Sequence, residues 1–114
     1  MIVFCVNDGA VMNAWARDQG VPNGRDDLIT FMGDPWSSLG KSLDIEMHAD
    51  GPQEVGLVKR SKRAAIYVED GIAKIVRIAE SEDDPAGDNH PDVTLAGAMV
   101  KGIKELYPFA DGEL

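Results

Sequence analysis

Cysteine is almost absent from this chain of 114 residues, where Cys5 is the single example. An internal disulfide is therefore excluded, which fits a reducing compartment and sets the expectation of a cytoplasmic protein. Histidine is nearly as scarce, and His48 and His90 are too few and too far apart for an imidazole-based zinc site. Cations are outnumbered, with 11 Lys and Arg against 20 Asp and Glu and a net charge of −9. Phosphate backbones and anionic lipid repel a surface of that sign, so neither nucleic acid nor a membrane is an expected partner. No run of about 18 apolar residues is present. The first residues also lack the basic-then-apolar pattern of a secretory signal. No metal and no cofactor is expected.

What is present is ordinary for a globular chain, with 44% apolar and 27% charged residues. A chain of this length buries roughly 65% of its unfolded surface, enough for one core. The expectation is therefore a single domain over residues 1–114. One basic run, Lys59-Arg60-Ser61-Lys62-Arg63, opposes the acidic trend. Such a 5-mer resembles a short localisation signal, but it is common by chance, and a role in the fold or in a site is the preferred reading.

Residues 2–6, IVFCV, form a short continuous apolar run that suits a strand buried on both faces. Asn7 and Asp8 supply an N-cap for a helix over residues 9–19. Its residues Val11, Ala14 and Trp15 share one face. Gly20 is the expected C′ glycine, and Pro22 prevents continuation. Residues 28–32, LITFM, read as a second strand. Asp34-Pro35 then opens a short helix through residue 43, with Asp as N-cap and Pro in the first turn. A strand–helix–strand unit of this kind favours parallel pairing.

Asp50-Gly51-Pro52 marks a turn. Residues 64–69 and 72–78 flank Asp70-Gly71, which supplies the positive φ angles of a type I′ hairpin. Six carboxylates lie between Glu80 and Asp92, punctuated by Pro85, Gly87 and Pro91. Their spacing does not match a calcium loop, and a solvated loop is the preferred reading. A last helix starts near Asp92 or Thr94 and runs to Leu106, with Leu95, Met99, Ile103 and Leu106 toward the core. The order is β-α-β-α-β-β-α, an α/β arrangement.

Four segments carry a resemblance to a known family. Val6-Asn7-Asp8 with Val11-Met12 and Ala14-Trp15 is similar to a strand-to-helix corner of type II (peroxiredoxin-five-like) peroxiredoxins. Phe31-Met32-Gly33-Asp34-Pro35 resembles the strand end that follows in that family. Residues 39–46 are a variant of the next region, with Leu39-Gly40 earlier than usual. Leu57-Val58-Lys59-Arg60-Ser61-Lys62-Arg63, leading into the hairpin, resembles the family's basic segment. The matches keep their order over about residues 2–80.

The resemblance implies a thioredoxin-like fold and a thiol peroxidase that reduces hydroperoxides. A peroxidatic cysteine then lies at a helix start within Pro-x-x-x-Thr-x-x-Cys, where the helix N-terminus and an arginine lower its pKa. That motif is not in these 114 residues. The expected fold is therefore an incomplete thioredoxin-like domain, lacking the strand and helix that carry the peroxidatic Cys. Arg63 matches the family's active-site arginine at the start of the hairpin and is the one candidate catalytic residue carried over. Cys5, inside an apolar strand, reads as a packing residue with a raised pKa rather than a stand-in nucleophile.

In the resembled fold the first strand and the hairpin flank the missing strand, and unpartnered buried edges cost about 1–3 kcal/mol per group. Either the two edges pair directly into a four-stranded sheet, or a second chain covers them. A homo-oligomer is expected, and a thiol reductant is a partner only if a peroxidatic Cys is supplied. Three readings compete: a peroxiredoxin-like protein without peroxidase chemistry that serves binding or assembly; a piece of an active peroxidase whose N-terminal part is encoded upstream or supplied by another chain; and an unrelated ligand or metal binder using the acidic loop.

Overall fold

The computed structural model describes residues 1–26, 28–48, 53–56, 58–80, 84, 89 and 91–108. The Asp50-Gly51-Pro52 turn and most of the acidic stretch lie outside them. The chain divides into two compact units, Met1–Ser61 and Lys62–Leu114. The architecture is mixed α/β with two small sheets, compatible with a partial thioredoxin-like fold.

In the first unit, β1 (Ile2–Cys5) pairs in parallel with β2 (Thr30–Gly33), and α1 (Gly9–Asp18) connects them. Strand β1 ends one residue sooner than expected because the Cys5 carbonyl accepts from Asn7 N–H (2.8 Å) and Asp34 N–H (2.8 Å), which turns the chain. A two-stranded sheet does not bury both faces, and Ile2 is exposed. Strand β2 starts later than the apolar run suggests. The Asp26 carboxylate accepts from Leu28 N–H and Ile29 N–H, both at 2.7 Å, and this local turn removes those donors from the ladder.

Helix α1 is capped by Asp8, whose Oδ1 accepts from Val11 N–H at 2.9 Å. It ends in a Schellman motif: Gly20 N–H donates to Arg17 O, Val21 N–H donates to Ala16 O, and Gly20 takes φ +80°. The face expected inward is corrected by the structure. Met12 and Ala16 are buried, while Val11, Ala14 and Trp15 are exposed. Two apolar stripes compete on this helix, and Val21 at the Schellman position folds back over the one that contains Ala16. Trp15 instead sets its ring edge-on to Phe31, with centroids 5.1 Å apart.

Helix α2 (Ser38–Ser42) begins later than expected. Asp34 still satisfies its first turn, but from farther upstream: Oδ1 accepts from Leu39 N–H (3.2 Å) and Oδ2 from Gly40 N–H (3.0 Å). The helix closes in a second Schellman motif. Asp44 N–H donates to Lys41 O, Ile45 N–H donates to Gly40 O, and Ile45 is buried. Asp44 takes the left-handed position that Gly20 occupies in α1.

In the second unit, β3 (Ala64–Glu69) and β4 (Ile72–Ile78) form an antiparallel hairpin, with Asp70 at φ +52° and Gly71 at φ +77°. The register shifts between Tyr67 and Val68, so Lys74 is the extra residue of a bulge. Residues 91–94 form a 3₁₀ turn, and α3 (Ala96–Leu106) follows. Its start is later than expected because Thr94 Oγ1 donates to Pro91 O inside that turn rather than capping the helix. Leu95 and Leu106, expected inward, are exposed; Met99 and Ile103 are half-buried, and Gly102 is buried. A Cβ on Gly102 would lie 3.1 Å from Ile75 Cδ1, so this glycine sets how closely the helix meets the hairpin. Among the described residues the ladders are β1–β2 within the first unit and β3–β4 within the second.

Candidate functional site

The β1–α1 corner is the most organised candidate site in the first unit. It brings together Cys5, Val6, Asn7 and Asp8 with Gly33 and Arg60. A Cβ on Gly33 would fall 2.6 Å from Asn7 O and 3.1 Å from Asp8 C. Only glycine allows the end of β2 to approach the corner this closely. Arg60 reaches the corner from far along the chain. Its Nη1 donates to Val6 O (3.1 Å) and to Asn7 Oδ1 (3.3 Å). The Arg60 backbone is fixed in turn, because its carbonyl accepts from Met47 N–H at 2.6 Å and the next residue, Ser61, forms a β-bridge with Glu46.

Cys5 is half-buried at this corner. Burial pushes its thiol above the ordinary value of 9.0, and the Arg60 guanidinium opposes that rise without overcoming it. The thiol form dominates at neutral pH, and thiolate chemistry is disfavoured. Nucleophilic attack on a peroxide needs the opposite environment: a low thiol pKa and donors aimed at the breaking O–O bond.

Arg63 is exposed and lies immediately before β3. Its carbonyl accepts from Ala79 N–H at 3.0 Å, which extends the hairpin ladder by one pair. Its neighbour Lys62 pairs with Glu80 at 3.0 Å. The basic run is thus divided: Arg60 braces the corner, Lys62 pairs within the second unit, and Arg63 begins the hairpin. Sequence reasoning selected Arg63 and missed Arg60. Four cations stand within five residues, and no local pattern marks which one turns toward the corner.

Among the described residues, no group of three or more His, Cys, Asp or Glu is placed to hold a metal ion. No helix among them is long and apolar enough to cross a membrane.

A search of family models finds no match. Curated proteins do match. The chain is 39% identical over 81 residues to the chloroplastic Peroxiredoxin-2E of Arabidopsis thaliana, covering 69% of this chain and 32% of that protein. It is 33% identical over 84 residues to the mitochondrial Peroxiredoxin-2F of the same plant, covering 74% of this chain and 38% of that protein. The chloroplastic Peroxiredoxin-2E-2 of Oryza sativa subsp. japonica is 33% identical over 76 residues, covering 66% of this chain and 32% of that protein. The class these matches support is the peroxiredoxin, or redoxin, family. Within that class the chain spans only about a third of the length of the curated relatives it matches. The cytoplasmic location expected from cysteine usage is corrected by the same comparison, since these relatives are chloroplastic and mitochondrial proteins. A reducing milieu is not particular to the cytoplasm, so a single unpaired cysteine never distinguished these compartments.

Proposed function

We propose that these 114 residues form a peroxiredoxin-type scaffold that does not reduce hydroperoxides by itself and serves as a binding or assembly module. The observation that carries this reading is the state of Cys5. Peroxide reduction requires a thiolate to attack one peroxide oxygen, forming a sulfenic acid as the O–O bond breaks and the alcohol or water leaves. Burial on a strand raises the pKa of the chain's single thiol and so favours its protonated form, with the Arg60 guanidinium opposing the shift. The second reading is that the chain is part of an active thiol peroxidase whose peroxidatic cysteine is carried elsewhere. The position of Arg63 at the entry to β3 supports it, because this is the arginine that matches the family's active-site arginine.

The assay that tests the first reading is hydrogen peroxide consumption by the purified chain with a dithiol reductant. No turnover above the buffer blank is expected. Turnover that disappears in Cys5→Ser contradicts the proposal. Assembly is the other half. Val11 and Trp15 on α1 and Trp36 after β2, the last 75% exposed, support a homo-oligomer by offering apolar surface for a second copy to cover. Light scattering at micromolar concentration is expected to give a mass above that of one chain, and a monomer contradicts it.

A further inference from the structure

We propose that the paired cavities along α3 lined by Arg77, Lys101 and Lys104 bind a small molecule carrying a phosphate group. Two cavities, of about 520 Å³ and about 260 Å³, open on this helix and share a wall made by Lys101 and Glu105. The larger falls in the lower part of the range of small-ligand sites, about 300–1,000 Å³, and the smaller lies just below it. Arg77, from β4, lines the smaller cavity, and Lys104 lines the larger. The helix makes room with small residues. Gly97 lines the larger cavity, and Ala98 and Gly102 line the smaller. A Cβ on Gly102 would lie 3.2 Å from Arg77 Nη2, so the guanidinium rests directly against the helix.

Among the described residues, no side-chain hydrogen bond or ion pair is made by Arg77, Lys101 or Lys104, although Arg77 and Lys104 are half-buried. A guanidinium has five donors in a planar fork that matches phosphate oxygens, and leaving it partly desolvated without an acceptor is unfavourable. Each cavity sets two cations, Lys101 with Lys104 in the larger and Arg77 with Lys101 in the smaller, against the one carboxylate of Glu105, a net positive lining that complements an anion. The rest of the chain argues for a small ligand over a polyanion. With a net charge of −9, the surface beyond the cavities repels an extended phosphate backbone. Val100 and Pro108 give the larger cavity an apolar side for the remainder of such a molecule.

The test is an amide NMR titration of the full chain with inorganic phosphate at mildly alkaline pH, with sodium acetate and sodium chloride at equal ionic strength as the other arms. Saturable shifts at Arg77 and along residues 97–105 are expected with phosphate, weaker ones with acetate, and none with chloride. Arg77→Gln should weaken phosphate binding about tenfold, the loss of one charge-assisted hydrogen bond. Lys101→Gln, at an exposed helix position, should weaken it about threefold and keeps the test valid if Arg77→Gln fails to fold. Shifts that do not saturate, that are equal in all three salts, or that survive unchanged in the folded variants overturn the proposal.

Discussion

Ser37 and Asp44 both adopt the left-handed backbone region, at φ +56° and +57°, where a Cβ is disfavoured. Ser37 is also fully buried, and its Oγ has no hydrogen-bond partner among the described residues. Glycine relieves the backbone at either site and removes the orphaned hydroxyl at Ser37. Asp44→Gly is expected to stabilise the fold by about 0.5–1 kcal/mol in urea denaturation, because it gives α2 the same C′ residue that ends α1. Gly33 points the other way. Gly33→Ala drives a methyl into the backbone at Asn7 and should cost about 1–3 kcal/mol in the same measurement. The titration of Cys5 has a definite sign. Its folded pKa is raised, so its contribution to stability is complete below 9.0 and is lost as pH rises through the folded value. Cys5→Ala should therefore flatten the alkaline limb of the stability profile.

At the scale of elements, what was legible was what a backbone angle or a cap demands. Asp70-Gly71 announced the hairpin because both turn residues require positive φ, and Asp8 and Gly20 marked the limits of α1 because each satisfies orphaned backbone groups. Choices among equivalent apolar stripes were not legible. Val11 with Trp15 and Met12 with Ala16 have the same helical spacing, and tertiary packing selects the second pair. The start of β2 was hidden for another reason, since one carboxylate can outcompete a ladder. Hydrogen bonds from Ile29 N–H and then Leu28 N–H hold the Asp26 pKa below its ordinary 3.8. The stability of that turn is thus present above pH 3.8 and lost as pH falls through the lowered value. Carbon-detected NMR of the Asp26 carboxyl should show a midpoint below 3.8, and a midpoint at or above it contradicts this account of the strand start.

For the molecule as a whole, the resemblance read from ordered segments agrees with the plant relatives, whereas composition misled on compartment. The candidate site was half legible. The corner's Asn7, Asp8 and Gly33 stand in matching segments, but Arg60 braces that corner across more than fifty residues, a separation no local pattern spans. The central claim is that a peroxiredoxin-type scaffold here carries a cysteine used for packing. Its most direct test is the pH dependence of iodoacetamide alkylation of Cys5 in the folded chain. The account predicts a half-maximal rate above pH 9.0, and fast labelling near pH 6 would contradict it.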